Sequence, residues 1–426
     1  MLSSQPQLSP KTYAKLLLLV VILGVVSAVI TFAFIFIVHR TGALLWEETA
    51  AALAIDMRLF TLFVCTLGGL LVGLLVKFFG DHNAIFAELM QEFGKTGRFN
   101  YRHAPGIVVT AFVSLVAGGS LGPEAPLADA CGGMGTWLAD RFKMNETETR
   151  TLGYGGLSGM LAAFITNPFG GALLGLESSQ TGASGNQLYL WSLFPSLLSS
   201  AIATVVFVAL SGSFFARIYA FPEFVPSWSD LFWAVPLGLV GGIAGWLFTF
   251  TFSLLRRLML PMKKHVVLRG LLGGLSLGIL GAQLPLTLFS GEAQTSVLVA
   301  QAAQIGFVML CVLAGAKLFM TSLLLASGWK GGYIFPIMFA GVALGMAANL
   351  LFPHLQVAVA VSATLAGVLV ASLRAPLFSA FFTLALVQVE TAPVVAVAVV
   401  VSAMLNMLLA VIQARRTQAL AQTSQR

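Results

Sequence analysis

The sequence predicts an all-α polytopic membrane protein made of two related halves. Of its 426 residues, 58% are hydrophobic and only 9% are charged, and the mean hydropathy is +0.93. A chain of this composition cannot bury its apolar surface inside a water-soluble globule. Its apolar sequence is interrupted by 43 glycines and 16 prolines, which suit close helix packing and broken helices better than simple spanning rods.

Long apolar runs supply the spanning helices. The runs that can cross a hydrocarbon core of about 30 Å cover residues 16–38, 59–76, 191–210, 231–255 and 394–412. The first run is longer than a signal-peptide core and lacks a small-residue cleavage site, so we expect it to remain as a membrane helix.

The formal charge of +7 comes largely from basic residues that flank hydrophobic segments. They occur at Lys11, Lys15, Arg256, Arg257, Lys263, Lys264, Arg269, Arg415 and Arg416. Because this placement indicates positive-inside anchoring, we expect both termini in the cytoplasm and no nucleic-acid partner. We expect the long side chains of Lys317 and Lys330 to snorkel to an interface, the alternative being a positive potential near a transport pathway.

Glycine- and proline-rich breaks occur twice in the same order. The break at 119–126, Gly-Ser-Leu-Gly-Pro-Glu-Ala-Pro, has a counterpart about half a chain later at 327–336, Ser-Gly-Trp-Lys-Gly-Gly-Tyr-Ile-Phe-Pro. Pro168 and Pro376 mark a second pair of breaks at nearly the same separation. Such duplication is typical of transporters with two homologous halves.

We therefore predict a first membrane repeat at 1–215 and a second at 216–414. A short polar tail, 415–426, would follow, with no soluble regulatory domain. The three cysteines show no metal-ligand spacing, so we expect buried thiols, no metal and no cofactor.

The breaks also predict a binding site for an anion. A helix start exposes N–H groups and about half a positive charge, and this field is weakly screened away from water. Gly122-Pro123 and Gly331-Gly332 both fit helix starts with close backbone approach. A third candidate is the polar break Gly80-Asp81-His82-Asn83.

An enzyme is the remote alternative. Two segments, 156–159 and 182–185, match the Gly-x-Ser-Gly nucleophile pattern of intramembrane serine proteases, with Ser158 and Ser184 as the serines. A catalytic serine needs a histidine base within hydrogen-bond reach, and no histidine follows in a long spanning segment. We therefore predict no catalytic residue and no enzyme activity.

The motifs resemble the CLC chloride channel and transporter family. The resemblance rests on Gly-x-x-Gly-Pro at 119–123, Ser-Gly-x-x-Gly-Gly-x-x-x-Pro at 327–336 and Ala-Ser-Leu-Arg-Ala-Pro-Leu at 371–377. It implies a CLC-like fold of two inverted repeats of about nine helices each, broken at the bilayer midplane. It also implies a homodimer with one pore per subunit, carrying chloride or a similar small anion. We expect a multi-pass protein of the bacterial inner or plasma membrane.

The resemblance also implies which residues bind the anion. The segment Gly332, Tyr333, Ile334 and Phe335 would form part of the pore, with the backbone amides of Ile334 and Phe335 facing the ion. Ser120, Leu121, Gly122 and Pro123 would form the outer gate with Gly119.

The chain departs from the family where ionisable residues matter most. Leu121 occupies the position of the gating glutamate, and Ser178 that of the inner proton-transfer glutamate. His82 or Asn83 would replace the anion-binding serine, or His82 is simply a loop histidine at the membrane surface. We therefore expect a divergent member without the gating glutamate, and passive, channel-like anion conduction.

Two carboxylates keep a second mechanism open. Glu124 lies three residues beyond Leu121 and could act as a displaced gate in a proton-coupled antiporter. Alternatively, it stabilises a helix N-terminus, an effect of about 0.5 kcal/mol or more. Glu177 could relay protons, or it is a solvated interfacial carboxylate.

Overall fold

The computed structural model describes residues 10–53, 55–82, 85–177, 188–212, 219 and 221–423. These residues are nearly all helical, which confirms the predicted all-α class. In chain order the helices are α1 (Pro10–Ala43), α2 (Met57–Phe79), α3 (Phe86–Thr96), α4 (Ala104–Val116), α5 (Glu124–Arg141), α6 (Glu146–Ile165), α7 (Pro168–Glu177), α8 (Phe194–Ser211), α9 (Trp228–Met259), α10 (Val266–Gln283), α11 (Glu292–Ile305), α12 (Phe307–Ala326), α13 (Ile334–Leu351), α14 (Val357–Leu373), α15 (Pro376–Leu386) and α16 (Ala392–Thr423).

Several of these helices have the length and composition of membrane spans. Among the described residues, 8 helical segments are long and apolar enough to cross a bilayer. They lie at Pro10–Leu53, Met57–Phe79, Tyr189–Ser211, Trp228–Met262, Val266–Gln283, Phe307–Ala326, Ile334–Leu351 and Val389–Ile412. The protein is therefore a multi-pass membrane protein, as the composition predicts.

The chain divides into two compact units. The first unit comprises Met1–Ile37, Asn83–Val108 and Glu124–Phe214. The second comprises Val38–His82, Val109–Pro123 and Phe215–Arg426. These units reflect spatial contacts, whereas the halves at 1–215 and 216–414 reflect sequence duplication, so the predicted division into repeats stays a prediction.

In the first unit, α5 and α6 pack backbone against backbone at glycines. A Cβ atom on Gly156 would lie 2.1 Å from the carbonyl oxygen of Cys131, and one on Gly135 would lie 2.2 Å from that of Leu152. Real Cβ atoms do not approach other atoms this closely, so only glycine permits the contact. Small residues have this role at helix crossings in membrane proteins, where no hydrophobic driving force pulls helices together.

The second unit uses the same device between α2 and α10. Gly69 and Gly73 on α2 face Gly270 and Gly274 on α10, and each helix has its two glycines four positions apart. A Cβ atom on Gly274 would lie 2.3 Å from the carbonyl oxygen of Cys65. This crossing fixes the end of α2 and the start of α10 in one unit.

We predict that Gly274→Val destabilises the protein by about 1–3 kcal/mol, because the added side chain overpacks the α2–α10 crossing. The measurement is the midpoint of thermal unfolding in detergent, followed by tryptophan fluorescence. Gly315→Val on α12 is the matched control, since no atom outside its own helix backbone and chain neighbours lies within 4 Å of a Cβ built there. Equal midpoints for the two variants would contradict the packing argument.

Candidate functional site

Helix α13 begins inside the protein and not at its surface. All residues from 320 to 343 are buried, and α13 starts in the middle of this stretch, at Ile334. Its N-cap residue, Tyr333, makes no side-chain capping hydrogen bond. The first amides of a helix have no partner within the helix, so this buried start concentrates donors and the positive end of the helix dipole.

The residues before α13 contact the earlier break directly. The amide of Gly122 donates to the carbonyl oxygen of Gly332 at 2.8 Å, and the amide of Gly332 donates back to Gly122 at 2.5 Å. This pair is an isolated antiparallel β-bridge. The two duplicated breaks therefore meet, as expected if they form one site.

Close packing at the bridge explains the glycines beside it. Leu121 is fully buried, and a Cβ atom on Gly331 would lie 2.6 Å from the Cβ of Leu121. The hydroxyl of Thr321 on α12 donates to the carbonyl oxygen of Ser120 at 2.9 Å. The first break thus contacts the second break through Leu121 and backbone groups. A hydrogen bond joins the backbone of Ser120 to α12.

The aromatic side chains at the α13 start pack away as hydrophobic contacts. The ring of Tyr333 lies 5.3 Å from that of Phe248, and the ring of Phe335 lies 6.2 Å from that of Phe382, measured between centroids. The two rings thus contact α9 and α15, while the backbone of both residues forms the start of α13. This arrangement agrees with a site made of peptide groups, and the anion-binding role of residues 332–335 stays a prediction.

Two buried cations and one carboxylate lie beside the second break. Lys330 Nζ is 3.0 Å from Asp81 Oδ1, and Arg269 Nη2 is 2.5 Å from Asp81 Oδ2. We call these three residues the Asp81 cluster. Lys330 and Arg269 are 6% and 7% exposed, whereas the Asp81 side chain is 33% exposed. Asp81 therefore connects the end of α2 to the loop that precedes α13.

The cluster sets the ionisation of its carboxylate. Burial on its own would raise the pKa of Asp81, but the charges and hydrogen bonds of Lys330 and Arg269 lower that pKa below its ordinary value. Asp81 is therefore ionised at neutral pH. With Lys330 and Arg269 positive and Asp81 negative, the cluster has a net charge of about +1.

Further hydrogen bonds hold the loop before α13 in place. Trp329 Nε1 donates to the carbonyl oxygen of Gly270 at 3.0 Å, and Arg269 Nε donates to that of Ser327 at 3.2 Å. Gly328 has a φ of +88°, and a Cβ atom there would lie 2.6 Å from Arg269 Nη2. The backbone conformation therefore favours glycine at 328, and an added Cβ would also displace the guanidinium group of Arg269.

His82 reaches the same region mainly through its backbone. Its carbonyl oxygen accepts a hydrogen bond from Lys330 Nζ at 2.5 Å, while its ring nitrogen Nε2 lies 3.0 Å from the carbonyl oxygen of Phe79. The predicted replacement of a serine by His82 stays a prediction. Asn83, the other candidate, lies outside the described residues, as does Ser178.

The carboxylates predicted to move protons belong to the first unit. Glu124 is the first residue of α5 and is 1% exposed. Glu177 is the last residue of α7 and is partly buried. Their positions fit a gate or relay as well as a helix-terminus role, so both roles stay predictions.

Two expectations about basic residues are wrong. Lys317 is fully buried and donates to the carbonyl oxygens of Thr287, Leu288 and Phe289 at 2.7–3.0 Å, so it does not snorkel. Arg269 and Lys330 are buried in the Asp81 cluster and are not anchors at an interface. Local sequence could not show this, because the interacting residues lie far apart in the chain.

Comparisons with known proteins agree with this architecture. Residues 68–407 match the family model described as "Voltage gated chloride channel". The chain is 28% identical over 397 residues to "Putative ion-transport protein YfeO" of Escherichia coli O1:K1 / APEC. The alignment covers 90% of this chain and 91% of that protein.

Solved structures share the fold at low identity. A slow cyanobacterial Cl⁻/H⁺ antiporter superposes with a TM-score of 0.81 at 21% identity, covering 95% of this chain and 98% of the other. A CLC-type fluoride/proton antiporter gives a TM-score of 0.76 at 19% identity, covering 94% and 97%. These similarities confirm a CLC-like fold. Because the family model matches most of the sequence, the chain belongs to the CLC family.

Proposed function

We propose that the protein conducts a small anion of the chloride type passively across the membrane, at the buried start of α13. The observation that supports this most is the Gly122–Gly332 bridge, which places two helix breaks together in a buried region. Peptide N–H groups and a helix dipole stabilise an anion there without a charged ligand in contact with it. Family membership agrees with this substrate class.

Passive conduction follows from the side chains of the first break. Leu121, at the position where the family has its gating glutamate, is apolar and fully buried. Leucine can neither take up a proton nor compete with an anion for amide donors. The sequence also has a serine, Ser178, at the position expected for the inner proton-transfer glutamate. The obvious proton route of an exchanger is therefore missing.

Proton-coupled antiport is the second candidate. Glu124 lies in the first break, directly after Pro123, and is 1% exposed, so a proton could control its charge. The two antiporters with similar folds also favour this mechanism. By family resemblance we further infer a homodimer in a bacterial inner or plasma membrane. The basic residues that flank hydrophobic segments favour both termini in the cytoplasm.

We predict that anion efflux from proteoliposomes proceeds without proton movement and that Glu124→Gln leaves it unchanged, because a passive pathway does not use the carboxylate. The measurement records chloride and pH together under a proton gradient. Glu146→Gln is the matched control, since Glu146 is also the first residue of a helix but is exposed.

Antiport gives a different pair of results. In that case the wild type moves protons against chloride, and Glu124→Gln abolishes proton movement while Glu146→Gln does not. The reversal potential then depends on the pH gradient. That outcome would reject passive conduction and establish Glu124 as the displaced gate.

We also predict that removing one amide donor at the α13 start weakens anion binding. An ester in place of the peptide amide of Ile334 deletes the N–H without changing the side chain. A hydrogen bond to a charged group contributes about 1.5–3 kcal/mol, so the half-saturating chloride concentration should rise at least about tenfold.

The control is an ester at Ile337, whose amide donates to the carbonyl oxygen of Tyr333 at 3.0 Å within α13. This ester removes a helix hydrogen bond but no pathway donor. If both esters change the half-saturating concentration equally, the amide of Ile334 does not bind the anion.

Substitution of the candidate protease serine should leave transport intact. Ser158 is fully buried within α6, and Ser184 lies outside the described residues. We predict that Ser158→Ala transports chloride as the wild type does and that neither protein cleaves a membrane-embedded peptide. Cleavage by the wild type that is lost in the variant would support the enzyme instead.

A further inference from the structure

We propose that Lys330 and Arg269 form a second anion site, at which Asp81 acts as a tethered carboxylate that the transported anion displaces. This inference rests on the proposed anion transport and adds a binding site with named side chains. Lys330 lies four residues before the start of α13. The proposed site is therefore close in the chain to the peptide groups that begin this helix.

The two cations are held by groups other than Asp81. Lys330 Nζ donates to the carbonyl oxygen of His82 at 2.5 Å, and Arg269 Nε donates to that of Ser327 at 3.2 Å. These contacts fix the ammonium and guanidinium groups independently of the carboxylate. When Asp81 moves, the cations keep their positions and the vacated oxygen sites can be filled by an anion.

Asp81 is the member of the cluster that can move. Its side chain is 33% exposed, whereas both cations are almost completely buried. It lies in the non-helical segment after α2, one residue beyond Gly80, which has a φ of +97°. The carboxylate side is therefore the least enclosed side of the cluster, and the backbone there can rotate about a glycine.

Charge selects what replaces the carboxylate. A buried cation that loses its counter-charge is strongly destabilised, so the exchange requires an incoming anion and not water alone. With Asp81 bound, the cluster still has two positive groups for one negative group, which attracts a second anion. Arginine and lysine side chains are hydrogen-bond donors only, so they can bind a halide or an oxyanion in place of the carboxylate.

The competing interpretation is a purely structural ion-pair cluster that locks the loop before α13. Under that interpretation Asp81 only stabilises the fold, and its removal weakens the protein without improving anion binding. Under ours, Asp81 competes with the anion, so removing its charge tightens anion binding. The two interpretations therefore differ in one measurement: ours predicts tighter chloride binding in the variant, and the structural one predicts no gain.

The test titrates sodium chloride into purified, full-length protein in a gluconate buffer, by calorimetry, and measures chloride flux in proteoliposomes against chloride concentration. We predict that Asp81→Asn lowers the dissociation constant and the half-saturating concentration about tenfold, since a charged competitor is lost. Lys330→Met should remove one chloride equivalent from the calorimetric stoichiometry. Asp56→Asn is the control, because Asp56 caps α2 through its oxygen, which asparagine retains.

The outcomes are separable. A folded Asp81→Asn protein whose chloride affinity is unchanged or weaker than that of the wild type overturns the second site. If Asp81→Asn does not fold, the double variant Asp81→Asn/Lys330→Met is used, because it removes one charge of each sign. A double variant that binds as many chloride equivalents as the wild type also overturns the proposal. A wild type that binds chloride at the cluster but shows no flux contradicts the proposed function and not the site.

Discussion

Peptide groups that end a helix inside an apolar protein need hydrogen-bond partners, and Gly122 and Gly332 supply them to each other. This one exchange of two hydrogen bonds lets two helical segments stop in a buried region. It also explains why glycine recurs at both breaks, since Leu121 leaves no space for a Cβ atom on Gly331. Without the bridge, the segment that leads into α13 would lose its hydrogen bonds to the first break.

Positive charge in this protein is held inside by oxygen atoms of the backbone. Lys317 contacts three carbonyl oxygens, and Lys330 and Arg269 each contact one in addition to Asp81. Such contacts offset the cost of taking an ammonium or guanidinium group out of water. Near the start of α13, the buried Lys330 and Arg269 and the helix-terminal amides favour an anion over a cation. The peptide-lined helix start and the Asp81 cluster therefore point to the same class of substrate.

Family membership and local chemistry give different kinds of information about mechanism. Membership of the CLC family fits anion transport, and similar folds occur in proton-coupled antiporters. Position 121 of the first break, however, is a leucine, and the ionisable side chain of this break is the buried Glu124 at the start of α5. The shared fold therefore does not decide the mechanism, because function depends on the residues of the site and not on the helical framework.

The sequence by itself determined the helical membrane class, the two duplicated breaks and the family, because apolar composition and glycine–proline signatures are local properties. It also showed what is missing at position 121. The tertiary structure decided that Gly122 pairs with Gly332, that Arg269 and Lys330 are buried together on Asp81, and that Lys317 does not reach an interface. Those contacts join residues roughly 30 to 250 positions apart, and no local pattern encodes which distant oxygen a buried cation will find.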